Sequence, residues 1–292
     1  MKIMILGGSG MLGHRLWIRL QKNHDVWVTI HGSINELIDV PEFPRNRVRP
    51  HVDAWNFEQV SRAMASIQPD LVINCIGIIK QHGNVAKDPL IAITLNALFP
   101  HKLSLLCKVA NARLIHISTD CVFSGAKGNY TESDVADGDE IYGRTKFLGE
   151  VEYAQCITLR TSIIGREIKN GLGLVEWFLA QNENVKGFTK AIFSGLTTDE
   201  LAKVINDYVI PNPALSGKYH VSTHPIAKYD LLTLLNIAFE KNLMIEPYDD
   251  FVIDRSLNAK RFNKETGYNP PAWESMIAEL AKSRAFYKNI HL

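Results

Sequence analysis

The chain has 292 residues, of which 46% are hydrophobic and 22% are charged, and its 32 Lys and Arg nearly balance its 31 Asp and Glu, leaving a net charge of +1. These proportions are typical of a globular protein and exclude intrinsic disorder, a collagen-like repeat and a coiled coil. Binding to phosphate backbones needs a clustered basic surplus, so the balanced charge also argues against a nucleic-acid partner.

The cysteines and the apolar runs bear on metals, location and membranes. The four cysteines are well separated and form no C-x-x-C pair, so we expect neither a metal site nor a disulfide framework, and the pattern suits a reducing cytoplasm. The apolar run Ile3–Leu6 breaks at once into glycines, so no signal peptide is expected. No run of about eighteen apolar residues is present, which predicts no membrane span and no membrane partner.

The first half of the chain alternates short apolar runs with amphipathic stretches, which is the pattern of repeated strand–helix units in a parallel sheet. We therefore predict an α/β fold with a doubly wound parallel sheet. In chain order, the predicted elements are a strand over Lys2–Leu6, a helix over Met11–Lys22, a strand over Val26–Ile30, a helix over Phe57–Ile67, a strand over Leu71–Cys75, a helix over Leu90–Ala110, a strand over Leu114–Ser118, a helix over Tyr142–Tyr153 and a strand over Ile157–Arg160.

The alternation loosens after about Ser162, where glycines and prolines interrupt the chain. We expect a first domain over residues 1–162 and a smaller α/β lobe over residues 163–292, with segments of the second part returning to the first. Such a lobe would lie over the strand ends of the sheet, where open α/β sheets bind ligands. This lobe is therefore the expected place of substrate binding.

A glycine-rich turn follows the first strand directly and opens the first helix. It can be read as G-x-G-x-x-G from Gly8 or as G-x-x-G-x-x-G from Gly7. Glycines there allow a tight turn, close approach of the backbone to a pyrophosphate and close helix–strand packing, while the helix N-terminus offers free N–H groups to the anion. The turn therefore predicts a dinucleotide-binding domain of the Rossmann type. The expected cofactor contacts are Gly7, Gly10, Met11, Leu12 and Gly13.

The end of the second strand indicates which dinucleotide binds. An Asp or Glu there would bind the ribose diol of NAD and repel the additional phosphate of NADP. The segment Thr29–Ser33 contains no carboxylate, and its His31 and Ser33 could receive a 2′-phosphate. NADPH is therefore favoured, with NADH as the alternative, and His31 could equally be an ordinary surface histidine.

Tyr142 and Lys146 lie four residues apart on a predicted helix, so their side chains share one face. A neighbouring ammonium lowers the pKa of a phenol and brings proton exchange closer to neutral pH. Positioned acid–base groups of this kind contribute about 10² to 10⁴ in rate. Ser118 and Thr119 place hydroxyls at the end of the fourth predicted strand. The pair could otherwise be an exposed aromatic beside a solvated lysine.

Taken together, these features resemble the extended short-chain dehydrogenase/reductases and, more narrowly, the dTDP-4-dehydrorhamnose reductase group. The characteristic segment of that group has the form S-T-D-Y-V-F, then Y-x-E-x-D, then Y-G-[KR]-[ST]-K-x-x-G-E. Here the matching segments are S-T-D-C-V-F at 118–123, Y-T-E-S-D at 130–134 and Y-G-R-T-K-F-L-G-E at 142–150. Weaker matches at 160–162, 197–201, 255–258 and Trp273 extend the resemblance over nearly the whole chain.

The resemblance implies NADPH-dependent reduction of the C4 ketone of a nucleotide-activated 4-keto-6-deoxyhexose, in the synthesis of surface polysaccharide or lipopolysaccharide precursors. Tyr142 would donate the proton, Lys146 would lower the pKa of Tyr142 and hold the nicotinamide ribose, and Thr119 would polarise the carbonyl. The implied partner is a nucleotide sugar, with a homodimer left open. Further cofactor contacts would come from Asp53, Cys75, Ile76, Gly77 and Asn96. Without the resemblance, Asp53 could be a helix cap, Cys75 a core residue and Asn96 a packed helix amide.

Two departures from the pattern bear on the sugar. Cys121 stands where the group usually has Tyr, and Ile163 stands where a larger aromatic is common. Both are expected to face the substrate, so a roomier pocket could admit a 2-acetamido sugar on UDP in place of a deoxyhexose on dTDP. Lys80, Thr198 and Arg255 are further candidate substrate contacts, and each could equally be a surface residue.

Two other functions remain open at this point. A nucleotide-sugar epimerase or dehydratase would hold NAD tightly, which the acid-poor end of the second strand disfavours. A non-catalytic dinucleotide-binding subunit, like the accessory chain of a methionine adenosyltransferase, would be expected to lose its catalytic residues. Thr119, Tyr142 and Lys146 are all present.

Overall fold

The computed structural model describes residues 1–37, 40, 43–79, 88–169, 171–288 and 290. Strands and helices alternate through its first part. The elements there are β1 (Lys2–Leu6), α1 (Gly13–Leu20), β2 (Asp25–Thr29), β3 (Val48–Arg49), α2 (Phe57–Ile67), β4 (Leu71–Asn74), α3 (Pro89–Val109), β5 (Arg113–Thr119), α4 (Ile141–Leu148) and β6 (Cys156–Thr161).

The second part contains shorter strands. Its elements are β7 (Ile163–Ile164), α5 (Leu174–Ala180), β8 (Val185–Phe188), β9 (Ala191–Phe193), β10 (Leu196–Thr197), α6 (Thr198–Val204), β11 (Gly217–His220), β12 (Ile226–Ala227), α7 (Lys228–Ala238), β13 (Ile245–Tyr248), β14 (Ile253–Asp254), α8 (Lys260–Thr266), α9 (Trp273–Lys282) and α10 (Arg284–Lys288).

Seven strands form one parallel sheet in the order β11-β6-β5-β4-β1-β2-β3. The predicted doubly wound parallel α/β sheet is confirmed. The strand order reverses between β1 and β4, which is where sheets of this kind bind ligands at their carboxyl ends. Two of the strands, β3 and β11, were not predicted. The strand β11 comes from the second half of the chain and pairs with β6, while the division at residues 162 and 163 stays a prediction.

Alternate residues of a strand point to opposite faces of the sheet, and β1 buries both sets. Ile3 and Ile5 belong to the core on one face, and Met4 and Leu6 belong to the core on the other. The first face is covered by α1, whose Trp17 is fully buried, and the second by α2 and α3. Burial on both faces explains why the strands read as continuous apolar runs.

The helix α3 has 21 residues and a mean hydropathy of 1.5, so by length and composition alone it could cross a membrane. In this fold it packs on the sheet through Phe99, Leu103 and Cys107. Core helices can meet the same criteria, and the expected absence of a membrane span stays a prediction. Within α3 the turns widen to a π-helix over Ile93–Leu98, a feature that is frequent at functional sites.

The helix α4 is shorter than predicted and ends at Leu148 instead of Tyr153. The chain turns at Gly149, which packs directly on α3. A Cβ at that position would lie 1.8 Å from the carbonyl oxygen of Asn96. This close approach brings α4 and the π-helical turn of α3 together at the carboxyl ends of the strands.

Candidate active site

The glycine turn is built so tightly that side chains do not fit. Gly7 has a φ of +84°, in the region that favours glycine. A Cβ on Gly8 would lie 2.6 Å from the Cβ of Val28, and one on Gly13 would lie 2.1 Å from the carbonyl oxygen of Gly7. The turn is tied to β2 by a hydrogen bond from Gly8 N to Thr29 O at 2.8 Å. It therefore has the shape that the sequence predicted for a phosphate-binding turn.

The N-terminus of α1 is open to an anion. Leu12 stands at its cap position, and no side chain of the described residues accepts a hydrogen bond there. Free N–H groups and the helix dipole favour a phosphate at such an end. Met11 and Leu12 lie at this end, as predicted, and their contact with a cofactor stays a prediction.

The predicted adenosine end lies beside the end of β2. The His31 side chain is 81% exposed, and its Nε2 lies 3.7 Å from Oδ2 of Asp53. The carboxylate of Asp53 also accepts a hydrogen bond from Trp55 N at 2.9 Å, and Ser33 Oγ accepts one from Asn35 N at 3.3 Å. The fold thus brings Asp53 to His31, although the end of β2 itself carries no carboxylate.

Asn96 organises the loop that follows β4. It is buried, and its Oδ1 accepts a hydrogen bond from Ile78 N at 2.9 Å. Its Nδ2 donates to Ile78 O at 3.0 Å and to Thr145 Oγ1 at 3.3 Å. A Cβ on Gly77 would lie 3.3 Å from Asn96 Oδ1. The observed contacts of Asn96 are therefore those of a packed helix amide. Its direct contact with a cofactor stays a prediction.

Two other residues of this loop pack next to predicted site residues. The side chain of Ile76 lies against the glycine turn, since a Cβ on Gly7 would be 3.2 Å from Ile76 Cγ1. Burial raises the pKa of the Cys75 thiol to about 12, and the charge of Lys146 opposes that shift. Cys75 is therefore a neutral thiol beside Lys146, which agrees with a lining role and leaves no nucleophile at this position.

Thr119 and Tyr142 meet at the end of β5. The hydroxyl of Thr119 donates to Asp120 Oδ1 at 3.1 Å and accepts from Cys121 N at 3.1 Å. Thr119 also lowers the pKa of Tyr142, so the two side chains are neighbours. The predicted carbonyl-polarising hydroxyl and the predicted proton donor are therefore brought together.

Lys146 approaches the same place from one turn further along α4. Its Nζ donates to Ile117 O at 2.7 Å. A Cβ on Gly77 would lie 3.7 Å from that Nζ, so the backbone after β4 passes close to the ammonium. Lys146 and the uncapped N-terminus of α1 both lie at the carboxyl ends of the strands, where folds of this kind bind a dinucleotide.

The glycine that follows Tyr142 sets how closely α4 approaches the catalytic threonine. A Cβ on Gly143 would lie 2.1 Å from the carbonyl oxygen of Cys121. Cys121 belongs to the 3-10 turn Asp120–Val122, which begins directly after Thr119. The Tyr-Gly pair therefore positions the phenol on the threonine by removing the side chain that would hold the helix away.

The pKa of Tyr142 differs from the expectation. Burial raises it well above its usual value, the charge of Cys121 adds to the increase, and the hydrogen bond with Thr119 opposes it. Lys146 is not among the groups that shift it, so the prediction that Lys146 lowers the pKa of Tyr142 is wrong for this structure. The phenol is protonated at neutral pH, which is the state that can donate a proton.

Lys146 itself has an altered pKa. Burial lowers the pKa of Lys146 to about 8. The negative charge of Glu150 opposes that change, and Cys75 opposes it to a smaller extent. The carboxylate of Glu150 also accepts hydrogen bonds from Ser118 Oγ at 2.8 Å and from Arg160 Nε at 2.6 Å. The ammonium form of Lys146 is thus retained at neutral pH and lost at moderately alkaline pH.

Arg255 is brought to the catalytic residues from the far end of the chain. Its Nε donates to Phe123 O at 2.9 Å, and its Nη1 lies 3.6 Å from Cys121 Sγ. Ile163 is half-buried in β7, where it pairs with β10. The substrate contacts predicted for Cys121, Ile163 and Arg255 stay predictions.

The prediction for Thr198 is wrong. Its side chain is fully buried, and a Cβ on Gly165 would lie 2.2 Å from its Oγ1. Packed in this way, the hydroxyl cannot reach a substrate. Lys80, the remaining candidate, lies outside the described residues.

The Y-x-E-x-D segment holds the fold together. The phenol oxygen of Tyr130 accepts a hydrogen bond from Gly125 N at 3.1 Å, and Glu132 accepts one from His220 N at 2.9 Å. Asp134 accepts one from Thr131 N at 2.7 Å. These bonds join the loop after the catalytic turn to β11, so this part of the family pattern supports the site without entering it.

Sequence reasoning missed two charged residues near Thr119. Asp120 is buried, and burial raises its pKa, while its hydrogen bond with Thr119 and the charges of Arg255 and Lys228 oppose the increase. Lys228, the first residue of α7, lies 108 residues further along the chain than Asp120. Asp120 lies inside the matched segment at 118–123, but the sequence analysis gave it no role. The sequence around Lys228 contains no motif that predicts a place near Thr119, because that place depends on strand pairing.

Comparison with known proteins finds one matching family model and two kinds of relative. A family model described as RmlD substrate binding domain matches residues 1–250. A probable low-salt glycan biosynthesis reductase of Haloferax volcanii is 26% identical over 76% of this chain and 75% of that protein. Methionine adenosyltransferase 2 subunit beta of Mus musculus is 28% identical over 51% of this chain, which spans 41% of that protein.

Solved structures agree in fold. The structure of dTDP-4-dehydrorhamnose reductase from Bacillus anthracis in complex with NADP matches with a TM-score of 0.77 at 21% identity, over 96% of this chain and 98% of that chain. The likeness and the family match confirm the resemblance noted from the sequence. The chain belongs to the RmlD substrate-binding-domain family.

Proposed function

We propose that this protein reduces the C4 ketone of a nucleotide-activated 4-keto-6-deoxyhexose, dTDP-4-dehydrorhamnose or a UDP-linked analogue, with NADPH as the reductant. The observation that carries the proposal is the close approach of α4 to the turn after Thr119, where a Cβ on Gly143 would lie 2.1 Å from Cys121 O. This approach brings Tyr142 to Thr119, with Lys146 one turn further along α4 and bonded to Ile117 O. The product would serve surface polysaccharide synthesis, including lipopolysaccharide, in the cytoplasm.

The chain's own residues supply the acid and the polarising group. When bound, NADPH supplies the hydride that reduces the ketone carbon. Thr119 rotates its hydroxyl hydrogen from Asp120 Oδ1 toward the substrate oxygen, since hydroxyl hydrogens reorient freely. Tyr142 then gives its proton to that oxygen as negative charge develops there.

Lys146 supports these steps through its charge. Below about pH 8 its ammonium lies beside Gly77, where the ribose of the nicotinamide would be held. Water then returns a proton to Tyr142, which completes the cycle.

The sequence separates the reductase from its two alternatives. The end of β2 carries no carboxylate, which disfavours the tightly held NAD of an epimerase or dehydratase. The retained Thr119, Tyr142 and Lys146 support a reductase over a non-catalytic subunit.

A substrate panel tests the proposal. Purified protein is mixed with NADPH and either dTDP- or UDP-linked 4-keto-6-deoxyhexoses, and absorbance of NADPH is followed. We expect oxidation with at least one keto sugar and none with the 4-hydroxy product. Failure with every keto sugar, together with NADP that copurifies and cannot be exchanged, would contradict the proposal.

The same panel addresses the base and the sugar. Cys121 is smaller than the Tyr usual in the group, and its Sγ lies beside Arg255. We expect the 2-acetamido sugar on UDP to have the higher kcat/KM because of the additional room. Exclusive use of the dTDP compound would remove this part of the proposal and leave the reductase assignment in place.

A further inference from the structure

The second part of the chain places a cation opposite the catalytic turn. The strand β9 lies between β12 and β14, with Ala227 opposite Ile192 and Asp254 beside the same residue. Lys228 and Arg255 follow directly after β12 and β14. Strand pairing therefore brings these two cations to the two sides of β9.

The two cations differ in their contacts. The guanidinium of Arg255 is held by Phe123 O at 2.9 Å and lies near Cys121 Sγ, and its Nη2 is 3.9 Å from a carboxylate oxygen of Glu140. Lys228 is half-buried, and its Nζ lies 4.4 Å from the centroid of the Phe193 ring. Within the described ranges, Lys228 Nζ has no hydrogen bond and no ion pair. The guanidinium of Arg255 is thus already bonded to other residues of the protein, whereas the ammonium of Lys228 can still hydrogen-bond a ligand.

The surroundings of Lys228 make an oxygen ligand favourable. A cation over an aromatic ring gains about 0.5–2 kcal/mol, which does not replace the hydrogen bonds that an ammonium makes in water. Burial lowers the pKa of Lys228, and the charges of Asp120 and Cys121 oppose that change. The geometry agrees with this. The Phe193 ring next to Lys228 belongs to β9, β14 pairs with β9, and Arg255 directly after β14 lies 3.6 Å from Cys121 Sγ. These contacts place Lys228 near the turn that follows Thr119.

We propose that Lys228 binds the hexose of the substrate, donating a hydrogen bond from Nζ to a hydroxyl or acetamido oxygen close to the reacting ketone. This inference rests on the proposed function. The position of Lys228 over Phe193, beside the strand that leads to Arg255 and Cys121, assigns it to the sugar. The nucleoside and its diphosphate would lie further from the ketone than the ring substituents do. Lys228 would then be a specificity-determining residue supplied by the second part of the chain.

The test compares Lys228→Met and Lys228→Arg with the wild type. In Lys228→Met we expect kcat/KM for the keto sugar to fall by about tenfold to a hundredfold, which is the loss of one charged hydrogen bond. The dissociation constant of NADPH and inhibition by free UDP or dTDP should stay within about twofold of the wild type. Lys228→Arg should recover part of the loss because it keeps the donor.

Lys186 offers a matched control. Its Nζ lies 4.8 Å from the centroid of Tyr248, and its side chain is exposed. Lys186→Met removes a lysine–aromatic contact of the same kind outside the site, so kcat/KM should not change. Thermal unfolding of each variant checks that the fold is intact.

Three results would overturn the inference. A Lys228→Met variant with wild-type kcat/KM would remove Lys228 from substrate binding. Weaker inhibition by free UDP or dTDP would move its contact from the sugar to the diphosphate. If the wild-type protein fails to oxidise NADPH with every keto sugar tested, the proposed function is rejected, and this inference is rejected with it.

Discussion

The two walls of the candidate site are built in different ways. The catalytic wall comes from one short stretch of chain, in which Thr119 ends β5 and Tyr142 and Lys146 share a face of α4. The opposite wall is assembled from strands of two or three residues, with Lys228 and Arg255 placed by pairing on both sides of β9. The proposed reacting groups therefore lie in a contiguous segment, whereas the proposed substrate contacts depend on pairing between distant strands.

Among changes that leave the reacting groups in place, the largest expected effect disrupts the catalytic wall. In Gly143→Ala, the new Cβ would meet the carbonyl oxygen of Cys121 at 2.1 Å, so α4 must move away from the catalytic turn. A displacement of about 1 Å can cost about 100-fold in rate, and we expect a loss of that size in kcat. Steady-state kinetics measure it.

The neighbouring residue gives the control. Arg144 is exposed on the same helix, and alanine is favourable in helices. Arg144→Ala should retain wild-type kcat. If Gly143→Ala also retains it, the close approach of α4 to Cys121 is not what positions Tyr142.

A smaller effect is expected on the pH dependence of kcat/KM, because of the lowered pKa of Lys146. It distinguishes the role of the Lys146 charge from the role of its side-chain shape. Burial lowers that pKa to about 8, so kcat/KM should fall as the pH rises through about 8 and the ammonium loses its proton. In Lys146→Arg the charge persists, so the alkaline decline should move to higher pH. The larger side chain should cost about tenfold in rate at neutral pH.

The measurement is kcat/KM from about pH 6 to pH 10, with the surface variant Lys282→Arg as the control. That control should keep the wild-type profile, since Lys282 is paired with Glu279 on an exposed helix face. An alkaline decline that stays near pH 8 in Lys146→Arg would assign it to another group.

The smallest effect concerns a long-range contact that reaches the glycine turn. Burial lowers the pKa of His14 to about 3, so its ring is neutral. His14 Nδ1 donates to Gly10 O at 2.8 Å, and Nε2 accepts from the hydroxyl of Tyr287 at 2.5 Å. Tyr287→Phe leaves that nitrogen buried without a donor, which costs about 1–3 kcal/mol.

We expect a lower Tm for Tyr287→Phe, by about 2–4 °C for each kcal/mol, and NADPH affinity reduced by a few-fold. Tyr153→Phe is the control, because Tyr153 makes a similar hydrogen bond to His101 on the exposed surface. Equal behaviour of the two variants would show that the C-terminal helix does not support the glycine turn.

Much of the fold could be predicted because buried parallel strands leave a local signal. β1 and β4 bury both faces and so read as apolar runs. β3 has two residues, too few for any period to be visible. β11, with the sequence G-K-Y-H, carries no apolar run, and its place beside β6 follows from tertiary pairing alone.

The site also has a part that could be predicted from the sequence and a part that could not. The glycine turn and the Tyr142–Lys146 spacing could be predicted because they are short-range sequence patterns. Burial is not visible at that level, so Thr198 was taken for a substrate contact. The direction of the Tyr142 pKa shift was missed for the same reason, because burial is its largest cause. Lys228 needed the pairing of β12 with β9.

The central claim is that Tyr142 donates the proton to the reduced ketone. The most direct measurement is kcat for NADPH oxidation with the best keto sugar in Tyr142→Phe, beside NADPH affinity and the control Tyr248→Phe. The account predicts a loss of about 10² to 10⁴ in kcat with NADPH affinity unchanged and a control like the wild type. A Tyr142→Phe variant with kcat near that of the wild type would contradict it.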